Sequence, residues 1–470
     1  MKKTSSLLLI MVPLMLILFV SSLDQTIVAT ALPSIAKSLA QPQYVAWTTT
    51  AYLLTSSVTT LLFGRLGDQL GRKIVLQVSL VIFLLGSALA GLAPTMLFLI
   101  VMRAFQGIGG GGLTALVQAT VGDLVPARER GAYQALLGIV PSLAVIAGPF
   151  LGGFIAQMVS WRWIFYINVP VGVLAFVLLG ALLHLPKVRK VGQVDFLGGL
   201  LATLFTTALL LMTTWGGNTV AWISPLIIGL IVLAVLSVLG FIFVERRRKQ
   251  AILPLGLFKK SVFAISSLQF ALASFVLFVL MLFTPMYLQT VRGFSASRAG
   301  LVIIPMMLGL VVGSAVTGPI ITKTGKYKIY PIIGSFLMGI SSLFLGMLTV
   351  RTSLLELIAL LVLSGIGQGL MIQVALLAGQ NAAPYQDLGA ATGALNFFKS
   401  LGGAFAAAIM GTLLNAGMKH LTAVAAFGRL YSWLVPLMLV SFVLAVLMKE
   451  LPLSDAMISV LKEEVDVPEY

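Results

Sequence analysis

The sequence predicts an all-α membrane protein. It has fourteen transmembrane helices, arranged as a six-plus-six core with two inserted helices and both termini in the cytoplasm. Three observations lead there. Of the 470 residues, 59% are hydrophobic and only 9% are charged, whereas a soluble domain carries about 25% charged residues. Apolar runs of about 20 residues, the length that crosses a hydrocarbon core, recur along the whole chain. The period-two alternation of a membrane β-barrel is absent, so the spans are helices.

So few charges cannot cover a water-soluble globule, which excludes a disordered chain, a nucleic-acid binder and a cytosolic enzyme. The net charge of +16 sits in short loops between apolar runs. It reads as a topology signal and a contact for anionic lipid rather than a nucleic-acid footprint. There is no cysteine, which excludes disulfides, thiolate metal sites and cysteine nucleophiles. The two histidines, His184 and His420, lie far apart, so no metal site is expected, and no cofactor motif is present. His184 reads as an interfacial residue near a cytoplasmic helix end.

The spans fall at 7–30, 44–64, 74–93, 96–117, 133–157, 164–185, 195–215, 222–244, 262–288, 299–321, 329–349, 355–379, 390–415 and 430–448. Lys2 and Lys3 before an apolar run, with Ala29-Thr30-Ala31 after it, invite a signal-peptide reading. That run is too long for a signal sequence and contains Asp24. With the N-terminus in the cytoplasm, the inner segments hold 21 Lys plus Arg and the outer ones 7. The runs Lys187–Lys190, Glu245–Lys249 and Lys323–Lys328 all fall inside, as the positive-inside rule requires.

Internal duplication sets the domain plan. Gly107-Ile108-Gly109…Gly111 recurs as Gly365-Ile366-Gly367…Gly369. At the same offset, Pro126 matches Pro384, Gly131-Ala132 matches Gly389-Ala390, and Glu129 falls on Asp387. Gly64…Gly71 echoes Gly318…Gly325. The offset spans eight helices. This gives residues 1–186 as one six-helix bundle, 187–250 as two inserted helices, 251–450 as a second bundle and 451–470 as a cytoplasmic tail. A transporter site built on such repeats lies between them near mid-membrane.

Between the second and third spans the chain reads Gly64-Arg-Leu-Gly67-Asp68-Gln-Leu-Gly71-Arg72-Lys73. The glycines Gly64 and Gly71 permit a tight turn. Asp68 is expected to cap the third helix. Arg72 is placed to pair with Asp68 or with Asp123 at the end of the fourth span. Such a cluster can lock one face and break when that face opens; a plain basic loop with a helix cap is the alternative.

This segment resembles the signature loop of the major facilitator superfamily, and other pieces resemble its fourteen-helix drug–proton antiporter branch. Leu23-Asp24-Gln-Thr26-Ile-Val-Ala-Thr-Ala-Leu-Pro33 is similar to the branch's acidic first-helix motif. Arg103-Ala-Phe-Gln106-Gly107-Ile-Gly109 is similar to the arginine motif of the fourth helix, and Gly148-Pro149-Phe-Leu-Gly152-Gly153 to the antiporter motif of the fifth. Trp161-Arg-Trp163-Ile-Phe165…Asn168-Val-Pro170, Pro285-Met-Tyr287-Leu-Gln289 and Gly402-Gly403 also resemble the branch. The resemblance implies export by alternating access. The second copy of the loop departs from the pattern, with Thr322 where the family acid would sit.

Three ionisable residues lie well inside spans: Asp24, Arg103 and Lys399. Charge in the membrane is expensive and is a functional hypothesis by default. Asp24 lies about 9 Å and Arg103 about 10 Å from the outer ends of their helices. They share one depth and pair directly or through Gln25 and Gln106. The pair reads as a proton-coupling site, because a carboxyl between low dielectric and a guanidinium can load and release a proton. Arginine itself stays charged. A static pair that fixes helix packing is the competing reading. Lys399 reads as a cavity cation or as a lysine snorkelling to the interface. Glu356 reads as interfacial.

Pro149 and its flanking glycines reduce backbone bonding and permit close helix approach. The ninth span carries Phe263, Phe270, Phe275, Phe278, Phe283 and Tyr287 with Met281 and Met286, a surface suited to shape-tolerant apolar ligands or to lipid. Tyr52, Phe278 and the mid-helix polar residues Gln269, Gln373 and Asn396 complete the candidate cavity with Gln25, Gln106 and Lys399.

The leading reading is therefore a proton-coupled secondary transporter. It exports amphipathic drugs from the cytoplasm across the cell membrane, as a monomer in contact with lipid. Export of a lipid, fatty acid or other anionic metabolite is the alternative, and a receptor that does not transport is the third. No Walker loop or catalytic triad occurs, so an ATP-driven pump and an enzyme are disfavoured.

Overall fold

The computed structural model describes residues 2–41, 44–45, 47–183, 195–217, 220–247 and 252–453. Among them the chain runs as fourteen helical segments. The first six are α1 (Lys2–Ser38), α2 (Trp47–Leu70), α3 (Arg72–Gly91), α4 (Met96–Leu124), α5 (Ala127–Met158) and α6 (Trp163–Leu182). Then come α7 (Phe196–Trp215) and α8 (Pro225–Arg247). The last six are α9 (Ser261–Arg292), α10 (Arg298–Thr324), α11 (Ile329–Gly346), α12 (Leu354–Ala382), α13 (Leu388–Met418) and α14 (Ala423–Leu447).

Twelve of these are long and apolar enough to cross a membrane. The other two are α2, whose run of threonines and serines from Thr48 to Thr60 dilutes its apolar content, and α7, whose apolar stretch is Leu197–Thr213. Most helices overrun the predicted spans, because polar turns beyond the apolar run stay helical. Thus α5 begins at Ala127 rather than 133, and α14 begins at Ala423 rather than 430. Three segments are interrupted by a turn: α6 at Ile167, α10 at residues 302–303 and α14 at Trp433. A proline follows each break within three residues (Pro170, Pro305, Pro436). Its missing N–H and its ring disrupt the preceding helical turn.

Helix ends carry the expected chemistry. Ser353 and Glu356 form a capping box at the start of α12, so Glu356, expected as interfacial, serves a helix end. Asp195 caps α7 by accepting from Gly198 N at 2.9 Å. The turn before α3 needs Gly71 at φ +93°, and the matching turn after α10 needs Gly325 at φ +70°, a region that glycine adopts without strain.

Packing follows the duplication. Within α1–α6, the main contacts are α1 with α5, α2 with α4, α3 with α4, and α6 with α1 and α3. Moving eight helices along gives α9 with α13, α10 with α12, α11 with α12, and α14 with α9 and α11, and these contacts are also made. Two seams join the sets, α2 against α13 and α5 against α10, and each is the other's counterpart under the same shift. The inserted helices pack on each other, and α7 also touches α2 and α13. Leu61, Ala202, Leu209, Phe241, Phe397 and Leu401 share one buried apolar cluster there.

The α2–α3, α4–α5, α10–α11 and α12–α13 turns come to the same end of the bundle as the first and last described residues, here termed the terminal face. Glu450 accepts from Tyr327 N at 2.7 Å and Lys328 N at 3.1 Å, holding the end of the described chain to the α10–α11 turn.

Candidate functional site

Two polar constellations stand out, one inside the first helix set and one on the terminal face between the sets. In the first, Asp24 and Arg103 are wholly buried and joined at 2.6 Å. The α1–α4 register brings them to one level, as counting from the outer ends predicts. Gln106 links them, donating to Asp24 Oδ1 at 2.9 Å and accepting from Arg103 at 2.7 Å. Arg103 also donates to Thr48 O at 3.2 Å and lies 4.4 Å from the Tyr52 ring and 5.7 Å from the Phe165 ring. A guanidinium packed on aromatic faces retains part of its stabilisation in low dielectric.

The sequence reading did not place Asn168 in this site. Its side chain donates to Asp24 Oδ1 at 2.8 Å and to Ser87 Oγ at 3.0 Å. The usable signal was Asn168 in a run of apolar residues directly before Val169-Pro170. Gln25, by contrast, is exposed and donates to Ser21 O at 3.4 Å. It does not bridge the pair, because one residue along a helix turns a side chain about 100° away from Asp24.

The antiporter-motif glycines sit behind Asp24. A Cβ on Gly148 would strike Thr26 and one on Gly152 would strike Thr30 and Ile27, so α5 lies directly on α1. Thr26 Oγ1 donates to Ala144 O at 3.0 Å across this contact. Gly153 faces open space. The side chain of Pro149 lies outside the described residues, as do His184, the run Lys187–Lys190 and the tail from 454 on.

On the terminal face, Arg72 holds Asp68, and donates to Asp123 at 2.8 Å and to Gly64 O at 3.3 Å. Asp68 does not cap α3. It accepts from Gly389 N at 2.9 Å and Ala390 N at 2.8 Å, and so caps α13 of the other set. The reason is geometric: Asp68 belongs to the last turn of α2, and α2 meets the start of α13. Gly64 is likewise no turn residue; a Cβ there would lie 2.5 Å from Gly389 O. A Cβ on Gly67 would meet Leu116 and Arg72. Lys73 donates to Gly180 O at 2.7 Å and caps the end of α6. Arg65 adds an ion pair with Asp387 at 2.7 Å.

Further bonds cross between the sets. Arg128 donates to Thr322 O at 2.9 Å and Lys323 O at 3.1 Å. Gln373 donates to Gly131 O at 2.5 Å, Gln380 to Gln118 O at 3.3 Å and Asn396 to Gln118 Oε1 at 2.7 Å. Gln373 and Asn396, expected in a cavity, are therefore buried parts of the seam. Gln269 is buried as well and donates to Ser441 O of α14 at 2.9 Å. The aromatic row of α9 is mostly core: Phe263, Phe270, Phe275, Phe283 and Tyr287 are buried, while Phe278 is exposed beside Gly403. Lys399 directs its Nζ toward the Phe270 ring at 5.7 Å. Among the described residues it has no carboxylate within ion-pair distance. No group of residues there can hold a metal ion.

A sequence model described as Major Facilitator Superfamily matches residues 14–196 and 194–407. Multidrug transporter protein MdtP of Bacillus subtilis is 36% identical over 88% of this chain and 76% of its own length. Multidrug resistance protein 3 of the same organism is 32% identical over 87% of this chain and 80% of its own length. An uncharacterized MFS-type transporter of Mycobacterium tuberculosis is 40% identical over 84% of this chain, but the match spans only 57% of that relative's length. Among solved structures, the proton:xylose symporter XylE superposes with a TM-score of 0.70 at 16% identity, covering 97% of this chain and 99% of its own. The human organic anion transporter MFSD10 gives 0.65 at 16% identity, covering 93% and 99%.

Proposed function

The chain belongs to the major facilitator superfamily, a family of multi-pass membrane transporters rather than enzymes, and on that premise we propose that it exports amphipathic compounds in exchange for protons. The observation that carries this reading is Asp24, a wholly buried carboxylate held by Arg103, Gln106 and Asn168. Proton loading would remove the charge that binds Arg103, so the carboxylate is suited to couple a proton to helix rearrangement.

The terminal face is the cytoplasmic one on this reading, because 21 of the basic residues fall there against 7 opposite. The bonds between the sets concentrate at that face, which fits a state closed to the cytoplasm. Asp68, Arg72 and Asp123 would part when it opens. We take all fourteen helices to span. The 24 residues of α2 and 20 of α7 reach about 36 and 30 Å at 1.5 Å per residue. Residues 1–186 and 251–450 would then move as bundles about the site, with 187–250 inserted between them and one chain working alone. The names of the Bacillus subtilis relatives support a drug-like substrate in a bacterial cell membrane.

One observation favours a second substrate class. Lys399 is a cation within α13 without a carboxylate partner among the described residues, which suits an anionic amphiphile. The test is transport by the purified protein in vesicles under an imposed pH gradient, with cationic, neutral and anionic substrates. The expected result is accumulation that Asp24→Asn abolishes while the protein stays folded. Neutral substrates still bind the variant, monocations bind it more weakly, and dications are handled poorly even by the wild type. Wild-type accumulation by Asp24→Asn would make Asp24 a structural partner of Arg103 only. Uptake of anions alone would select the second class.

A further inference from the structure

We propose that Asp195 and Glu245 form a proton-binding site separate from Asp24, in which one proton is shared between Asp195 Oδ2 and Glu245 Oε1. The site joins the two inserted helices at the terminal face, remote from the Asp24 pair.

The geometry is a pair of buried carboxyl groups with their other positions filled. Asp195, just before α7, is 4% exposed, and Glu245, in the last turn of α8, is 3% exposed. The sequence reading counted Glu245 only as the head of a basic run on the cytoplasmic side; its side chain is buried. Glu245 Oε1 accepts from Ile252 N and Oε2 from Leu253 N, each at 3.2 Å. Asp195 Oδ1 accepts from Gly198 N. Asp195 Oδ2 is left buried with no hydrogen-bond partner. A Cβ placed on Gly198 would lie 2.7 Å from that oxygen and 3.0 Å from Glu245 Oε1. The two oxygens thus flank one small gap, kept open by the missing side chain of Gly198.

Charge points to the occupant. Two carboxylates this close and this buried cannot both be ionised without a cation. Among the described residues, the α2 cation that acts on Glu245 is Arg65, and one guanidinium nitrogen of Arg65 is paired with Asp387 at 2.7 Å. Arg246 and Arg247 on α8 are exposed, and Arg247 lies 4.0 Å from the Phe243 ring. From the segment leading into α9, Lys259 is exposed and Lys260 donates to Ala382 O at 2.9 Å. A proton on Asp195 Oδ2 satisfies that oxygen and uses a free lone pair on Glu245 Oε1. Both backbone bonds to Glu245 remain, as a carboxylate has about four acceptor sites. The shared proton then fastens α7 to α8 and to the chain entering α9.

Infrared difference spectroscopy of the purified full chain during a pH titration tests this, read at the deuterium-sensitive C=O stretch of a protonated carboxylic acid. The expected result is one such band that persists in Asp24→Asn and is lost in both Asp195→Asn and Glu245→Gln. In Asp195→Asn the amide N–H at the Oδ2 position stands in for the proton while Oδ1 still accepts from Gly198 N, so this variant should keep the wild-type melting temperature even if Glu245→Gln, which sets an amide N–H against a backbone N–H, folds poorly; Glu245→Ala should melt lower. A band that survives Glu245→Gln, or that disappears only with Asp24→Asn, would overturn the proposal. So would a titration without the band in which the melting temperature rises with added sodium.

Discussion

The donors on Asp24 differ in what they can do during a transport cycle. Arg103 carries charge, Gln106 travels with it on α4, and Asn168 reaches in from α6 while bonded to Ser87 of α3. On the proposed cycle, Asn168 would be the donor that stays when the ion pair loosens. A hydrogen bond to a charged group contributes about 1.5–3 kcal/mol, so Asn168→Ala should slow gradient-driven transport about tenfold or more in a folded protein. Transport at the wild-type rate in vesicles would show that the bond is incidental. Arg103→Ala should be more severe. Breaking a buried pair costs about 3–5 kcal/mol, and the expected outcome is a clear drop in melting temperature. The ion pair was legible in the sequence because depth along a helix is arithmetic. Asn168 was not, because its partner depends on how α6 is rotated against α1 and α3. Gln25 failed for a local reason, being next to Asp24 in sequence yet on another face of α1.

Among the helices, the decisive contact is the end of α2 against the start of α13. The Asp68 carboxylate sits on two backbone N–H groups of α13, where the helix dipole is positive. Asp68→Asn removes the charge and keeps the shape, with an expected loss of about 1–2 kcal/mol for a partly buried cap. That shifts the terminal face toward the open state by a factor of about 5–30. The chain has no cysteine, so a single Thr392→Cys, at a buried position of α13 that accepts from the seam residue Gln380 at 3.0 Å, reports this directly. Labelling should speed up by that factor in Asp68→Asn, and an unchanged rate would show that the cap does not hold the face shut. The spans themselves could be read with a ruler of 20 apolar residues. What could not be read was the partner of each end. Asp68 looks like a cap for the next helix in sequence, and only the meeting of the two sets gives it a helix from the other set. The bonds of Gln373, Gln269 and Asn396 to neighbouring helices were not legible for the same reason, since a polar residue in mid-span looks alike whether it lines water or bonds a neighbouring helix.

For the whole molecule, the two seams are alike in backbone and unlike in charge. Gly64 meets Gly389 in one and Gly318 meets Gly131 in the other, but Thr322 stands where Asp68 would be and its hydroxyl donates to Gly318 O of its own helix. Thr322→Asp should add a carboxylate next to Arg128, which already donates to Thr322 O, and near the positive end of α5, worth about 0.3–1 kcal/mol. The closed terminal face should then be favoured and turnover slowed, an effect seen as slower labelling of Thr392→Cys. Faster labelling would mean that the added acid opens the seam rather than holding it. The inserted helices add a second inequality. α7 lies along α2 and α13, with α8 packed on α7; Trp215 is edge-on to Trp47 at 5.7 Å and Phe205 is packed 6.4 Å from Phe397. No described helix lies outside α5 and α10 in the same way. The bundle therefore has a shielded flank and a bare one. On the proposed function, a greasy molecule already dissolved in the bilayer would find, among the described helices, the α2–α13 seam screened and the α5–α10 seam uncovered, so such cargo would approach from one compass direction rather than from all around.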